Sequence, residues 1–527
     1  MARGWGLVEK ARRLLLQEEG AVVREWGGRL PLALVFPNAY FVGMSSLGFQ
    51  AVYGLLNGLG DVVCERAFLN LGRSSGGDIE ALALESQRPL RDFPVIAFSL
   101  SYELDYPNVV RILQDAGIPP LAAERQGRPL VIAGGPAVSA NPLPMAPVVD
   151  AVLIGELEEA TGDLANALWQ ALEAEQPAEV LAEVPGLYVP SRHRQPGAVS
   201  RRWTKRLDDW RTCTVVGTRF TEFAGMHLVE MARGCARGCR FCLAGHVYRP
   251  VRERSADKVL EMAMEGVDAG HTIGLLAPSL SDTRGLRPVL RHLLDAGARV
   301  SVSSLRADSL DDDLMRDLIA AGNDTLTIAP EAGCPRLRQA IGKDLSNEDV
   351  LAAAALAEKH GLKELKLYFM IGLPGETEDD VVAAAELVRQ VREVFSRKLV
   401  ANVSCFVPKP NTPFQWQPFA PVGELEARLR RFEAELHGSG VQVRADSPRW
   451  ALLQALFARG DERAGLALVQ TGDFGRKGLL SAIERAGVDI KGAVGPRQVG
   501  EPLPWDVVGS GLPPAYLEGR SGLGSEE

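Results

Sequence analysis

The first 192 residues of this 527-residue chain contain no histidine, although seven occur in the whole. Imidazole ligation of a metal is therefore excluded throughout that stretch. Cysteine is sparse as well: there are seven, an odd number, and only Cys64 and Cys213 precede residue 230. At this size, scattered cysteines exclude a disulfide framework. No apolar run approaches the ~20 residues that a bilayer-crossing helix needs. The N-terminal MARGWGLVEKARRLLLQEEG lacks a secretory pattern, so the chain is read as cytoplasmic, with no membrane partner. Positive charge is in deficit: 58 Lys and Arg stand against 67 Asp and Glu, a net charge of −9. That balance opposes nucleic-acid binding by the surface at large and leaves RNA, as a partner, only a local basic groove.

What is present is ordinary for a globular protein: 46% hydrophobic and 24% charged residues. The length calls for two to four domains. Between residues 30 and 160, apolar runs alternate with helical patterns. LPLALVF, DVVCERAFL, FPVIAFSL, PLVIAGG and DAVLIG read as strands; GMSSLGFQAVYGLL and YPNVVRILQDAG read as helices. The expected fold class is thus α/β, opening with a Rossmann-like parallel sheet over 1–185. Ligands of such sheets sit at the carboxyl ends of the strands. Asn38, Ser45, Ser99, Gly134 and Gly135 occupy those ends and are candidate binding residues. Residues 186–225, rich in Pro, Gly and Arg, read as a linker. From 226 to 423 a second alternating series supplies about six βα units, a partial (β/α)6 TIM-type barrel. A small helical unit covers 424–527, with the terminal SGLGSEE expected to fray.

The chemistry concentrates in RGCARGCRFC, where Cys235, Cys239 and Cys242 fall within eight residues. Spacings of three and two intervening residues let one loop follow the corners of an iron–sulfur cubane, whose ligands are thiolates. Gly234 and Gly238 permit the backbone angles such a wrap needs. Three ligands on a four-iron cluster leave one iron open. The spacing also admits His246 as a fourth ligand to zinc, a minor alternative.

Cys-x3-Cys-x-Phe-Cys after a barrel's first strand resembles the radical S-adenosylmethionine (SAM) signature. The resemblance covers roughly residues 226–420. It implies a [4Fe-4S] cluster on Cys235, Cys239 and Cys242 and SAM bound at the open iron. An external electron donor such as flavodoxin or ferredoxin, and reductive cleavage of SAM to methionine and a 5′-deoxyadenosyl radical, follow from it as well. By the same resemblance Phe241 packs near adenine. Ala277 and Ser279 occupy the place of a methionine-binding segment. Ser303, Ser304 and Arg306 could hold ribose or carboxylate, and Glu331 the SAM ammonium. Ile371 and Gly372, in IGLPGE, match a last-strand segment that contacts adenine. Cys405, near a strand's carboxyl end, is a candidate catalytic thiol.

The wider set GMSSLGFQ, VIAGGPAVSANP, VLIGELEEA, IAPEAG, LKLYFMIGLPGET and FVPKPNTPFQW is similar to a bacterial radical SAM group with a cobalamin-binding-like N-terminal domain. FVPKPNTPF also resembles RNA-modifying methylthiotransferases, but a second three-cysteine motif is missing here. The absence of histidine leaves two readings of residues 1–185. Cobalamin binds without a protein imidazole, or the domain serves as a scaffold. A non-catalytic iron–sulfur or electron-transfer protein is the alternative from a different class.

Overall fold

A computed structural model describes residues 5–69 and 81–522 of the chain. They form two compact units. The first comprises Met1–Gly225, Leu456–Ala493 and Pro502–Leu512; the second comprises Met226–Ala455, Val494–Glu501 and Pro513–Glu527.

The first unit is built on a six-stranded sheet. Its strands are β1 (Leu30–Phe36), β2 (Val62–Phe68), β3 (Val95–Ser99), β4 (Leu130–Gly134), β5 (Ala151–Leu153) and β6 (Leu187–Tyr188), in the order β2-β1-β3-β4-β5-β6. All pairs are parallel except β5 with β6. β2 is buried at every position, as a strand covered on both faces must be. It nevertheless carries Arg66, whose fully buried guanidinium is held by Glu18 at 2.5 Å and Glu85 at 2.7 Å. Chain order reverses between β1 and β3, which opens a crevice at their carboxyl ends.

Several expectations need correction. The helix read over GMSSLGFQAVYGLL is two helices, Tyr40–Met44 and Leu47–Gly58, because Ser46 leaves the helical conformation and its side chain accepts the Phe49 N–H at 3.3 Å. The 186–225 segment is not a free linker. Residue 202 bridges Gly155 beyond β5, residue 217 bridges Glu19, and Val199–Ser200 pairs with Val508–Gly509. Nor is 424–527 one helical unit. It contains the strand Gln442–Ala445, and its later residues are divided between the two units. The Asn141 side chain shows why: its amide donates to the carbonyls of Ala458 (3.0 Å) and Gly460 (2.8 Å). Of the tail expected to fray, Ser521 is buried, and its carbonyl accepts from Gln417 at 2.8 Å; residues 523–527 lie outside the described residues.

The second unit has seven main parallel strands in two sheets. Met226–Glu230, Thr272–Leu276 and Val300–Val302 form one; Thr325–Glu331, Glu364–Ile371, Lys398–Cys405 and Gln442–Ala445 form the other. Helices such as Ala256–Asp268, Asn347–Lys359 and Glu378–Val394 connect them. Asn347–Lys359 and Glu378–Val394 each begin with a capping box, at Ser346 and Thr377. The described strands close no barrel, in keeping with the partial barrel expected. No helix among the described residues is long and apolar enough to cross a membrane.

Candidate functional site

The strand Met226–Glu230 leads directly into the cysteine loop. A short antiparallel ladder pins the loop's neck, pairing Arg233 with Arg252 and Ala232 with Glu253. Glu230 reinforces it by accepting from Arg233 (2.9 and 3.0 Å) and Arg254 (2.8 Å). Gly234 and Gly238 both have positive φ, +85° and +67°, as the wrap requires. A Cβ at Gly234 would lie 2.6 Å from the Tyr248 carbonyl oxygen. The three cysteines are half-buried. Burial pushes the Cys242 thiol up to about 11 and raises that of Cys239, and neighbouring thiols of the loop add to both shifts. Metal loading must displace those protons.

The donor set suits a cluster better than zinc. His246 is turned away from the role of fourth ligand: its Nδ1 lies 2.7 Å from the Cys242 carbonyl oxygen and its Nε2 3.4 Å from the Tyr516 hydroxyl. Among the described residues, no three His, Cys, Asp or Glu side chains converge on a single ion. A cubane takes one thiolate per iron, so its thiolates stand apart.

Glu331 reaches the same place from the end of its strand. It has φ +67°, beyond a register shift after Ile328. A non-glycine residue in that region is uncommon and marks a site held by its surroundings. Its carboxylate receives Lys343 Nζ at 2.9 Å. Lys343, Glu331 and Arg306 all act electrostatically on the Cys239 thiol. Lys343 was not singled out from sequence, where a lysine in a glycine-containing loop carries no pattern. Arg306 is held by Asp308 (2.9 and 2.7 Å) and the Asp344 carbonyl (2.7 Å). Phe241 packs beside Leu337, Ile341, Leu373, Phe406 and Phe414, an apolar wall at the loop.

Other candidates have local partners. Ser279 donates to Asp282 at 2.5 Å, and Asp282 in turn holds Arg237 of the cysteine loop. Ser303 Oγ approaches the Ala277 carbonyl at 3.5 Å, while Ser304 is exposed. Ile371 is buried beside Cys405 in register. Gly372 has φ +81°, a backbone conformation that favours glycine, and a Cβ there would fall 2.6 Å from the Leu425 side chain. Burial pushes the Cys405 thiol up to about 12, which makes it a poor nucleophile. Cys334 caps a helix and donates to Asp380 at 2.9 Å.

At the crevice of the first unit, Asn38 donates to Asp105 at 2.8 Å and ties the loops after β1 and β3 together. Phe41 and Val42, on the helix Tyr40–Met44 that follows β1, and Tyr102, after β3, are 46%, 42% and 43% exposed. Ser45 is occupied internally, donating to the Phe41 carbonyl (2.7 Å) and accepting from the Glu222 N–H (2.9 Å). Gly135, at φ +117°, lies where a Cβ would meet the Leu100 carbonyl at 2.5 Å, and Gly134 accepts from the Leu100 N–H at 2.8 Å. Ser99, at the end of β3, is half-buried.

Residues 48–190 match the family of radical SAM proteins, N-terminal, and residues 229–388 match the radical SAM superfamily. An uncharacterized protein of Methanocaldococcus jannaschii is 33% identical over 464 residues, 86% of this chain and 94% of that protein. A tRNA-2-methylthio-N(6)-dimethylallyladenosine synthase of Koribacter versatilis is 26% identical over 242 residues, covering 42% of this chain and 53% of that protein. Among solved structures, the radical SAM methyltransferase TsrM of Kitasatospora setae, with cobalamin and a [4Fe-4S] cluster bound, shares the fold. Its TM-score is 0.57 at 14% identity, over 87% of this chain and 99% of that one. The cobalamin-dependent SAM radical enzyme OxsB, with aqua-cobalamin and SAM bound, gives 0.52 at 15% identity, over 70% and 53%. The cysteine loop, the strand-end residues around it and these matches agree: the chain belongs to the radical SAM superfamily and is a radical SAM enzyme.

Proposed function

We propose that the enzyme binds its cluster through Cys235, Cys239 and Cys242 and its SAM beside Glu331, and that its first unit holds cobalamin without a protein imidazole. When bound, a [4Fe-4S] cluster with one open iron supplies the electron that cleaves SAM to methionine and a 5′-deoxyadenosyl radical. The chain's own part is positional. Glu331 offers a carboxylate to the SAM ammonium, Lys343 and Arg306 offset negative charge near Cys239, and Phe241 gives the adenine an apolar wall. The observation that carries this reading is the meeting of Glu331, in its left-handed conformation, with the thiols of the loop. Anaerobically reconstituted protein is expected to carry about four irons and to form methionine and 5′-deoxyadenosine from SAM and a reductant. Cys239→Ala should lose the broad visible absorption. Tight zinc and no iron after anaerobic purification would sink the reading.

The cobalamin part rests on the crevice between β1 and β3, the place where sheets of this strand order bind flat cofactors. Phe41, Val42 and Tyr102 give it an exposed apolar lip. Bound cobalamin in the Co(II) form should show no nitrogen coupling from a protein imidazole. Phe41→Asp should abolish its retention. A chain that retains none after reconstitution would make this unit a scaffold.

A further inference from the structure

The last described residues are unusually well engaged with the cysteine loop. The Tyr516 ring lies under two guanidinium groups, Arg249 at 5.2 Å and Arg520 at 5.3 Å from its centroid. Arg520 donates to the carbonyl of Gly238, between Cys235 and Cys239, at 3.1 Å. A Cβ at Gly238 would lie 3.2 Å from the Tyr516 hydroxyl, so this segment is packed onto the loop itself.

The charge here differs from that of the neighbouring arginines. Arg233, Arg237, Arg254 and Arg306 are each paired with a carboxylate. Among the described residues Arg240 and Arg520 have no such partner, and a Cβ at Gly522, two residues beyond Arg520, would lie 3.5 Å from the Arg240 guanidinium. Both arginines are half-buried, so each remains in part open to solvent. Pro250 and Val251, at the loop's neck beside Gly234, are exposed, Val251 by 40%. A chain of net charge −9 therefore places two arginines that have no carboxylate partner among the described residues beside its cysteine loop.

We propose that this patch, centred on Arg240 and Arg520, is where an acidic one-electron carrier protein docks to reduce the cluster. The inference rests on the radical SAM reading above and adds the place and charge of the partner. A reduced iron–sulfur or flavin carrier gives up one electron, the oxidised cluster takes it up, and no bond is made or broken at the patch. Positive charge there steers an acidic partner and orients it, and the overall negative charge of the enzyme disfavours its docking elsewhere.

Reduction of the cluster is followed by its absorbance, with reduced flavodoxin as the protein donor and photoreduced deazaflavin as a small one. Arg520→Glu should slow reduction by flavodoxin about tenfold or more and leave reduction by deazaflavin unchanged. Arg520→Lys, which keeps the charge, should restore most of the flavodoxin rate. In the wild type that rate should fall as salt is raised, and in Arg520→Glu the dependence should flatten. Equal flavodoxin rates in wild type and Arg520→Glu would overturn the proposal. So would equal losses with both donors, since the arginine would then only shape the loop. Failure of wild-type protein to cleave SAM even with deazaflavin would instead strike the functional reading.

Discussion

At the scale of single residues, Glu331 joins two properties that seldom coincide: a left-handed backbone and a charged side chain close enough to act on the Cys239 thiol. The two can be separated by substitution. Glu331→Gln keeps the backbone and removes the charge. Glu331→Gly relieves the backbone, because glycine adopts positive φ without steric cost, and also removes the charge. Both should weaken SAM binding, measured calorimetrically on cluster-loaded protein, roughly tenfold or more, the scale of one charge-assisted hydrogen bond. Glu331→Gln should not raise thermal stability above that of the wild type, whereas Glu331→Gly should raise it. Unchanged SAM affinity in both would return Glu331 to a structural role beside Lys343.

At the scale of elements, the loops after β1 and β3 meet through a buried carboxylate. Burial raises Asp105 to about 6, against the hydrogen bonds from Asn38 and Asn108 that favour its charged form. The sign follows from proton binding. A folded-state value above the unfolded 3.8 means that the folded chain binds more protons between the two, so stability falls as pH rises from about 4 through 6. Above that window the cost of the buried charge is at most about 3 kcal/mol. Asp105→Asn keeps an acceptor for Asn38 and removes the titration. The mutant should therefore gain melting temperature over the wild type at pH 7.5 and lose that advantage near pH 4. Parallel pH profiles for the two proteins would show that Asp105 does not carry this term.

At the scale of the whole molecule, the first unit is discontinuous. Asn141 spends its amide on the carbonyls of Ala458 and Gly460, and Gly465 lies where a Cβ would meet the Pro144 carbonyl at 2.2 Å. The rings of Tyr106 and Phe457 pack at 6.2 Å. A fragment of residues 1–225 should therefore bind a hydrophobic dye and melt well below the full chain, because it exposes the apolar surface that Leu456–Ala493 covers. Adding residues 456–512 in trans should reduce dye binding. A fragment as stable and as dye-free as the full protein would show that those segments add little.

Local chemistry was legible in the sequence by itself. In the first unit β1, β3, β4 and β5 are continuous apolar runs, the composition that burial on two faces favours, whereas Thr325–Glu331 and Glu364–Ile371 in the second unit alternate buried with more exposed positions. The three cysteines and their glycines declare the loop because cluster ligation and positive φ each demand particular residue types at fixed spacing. The absence of histidine before residue 193 leaves strands β1–β6 and the loops between them without an imidazole by composition alone, while His193, which also lies in the first unit, accepts from the Val189 N–H. Tertiary structure decided whatever depends on distant partners. Lys343, Arg520 and Tyr516 carry no local pattern, and only folding brings them to the loop. Ser45, Gly135 and Gly372 look like ligand-binding positions, but each is accounted for by a neighbour far along the chain: Glu222, Leu100 and Leu425. The division of the C-terminal residues between two units has the same cause. An amphipathic helix records that it must be covered, and the covering surface is chosen only when the chain packs.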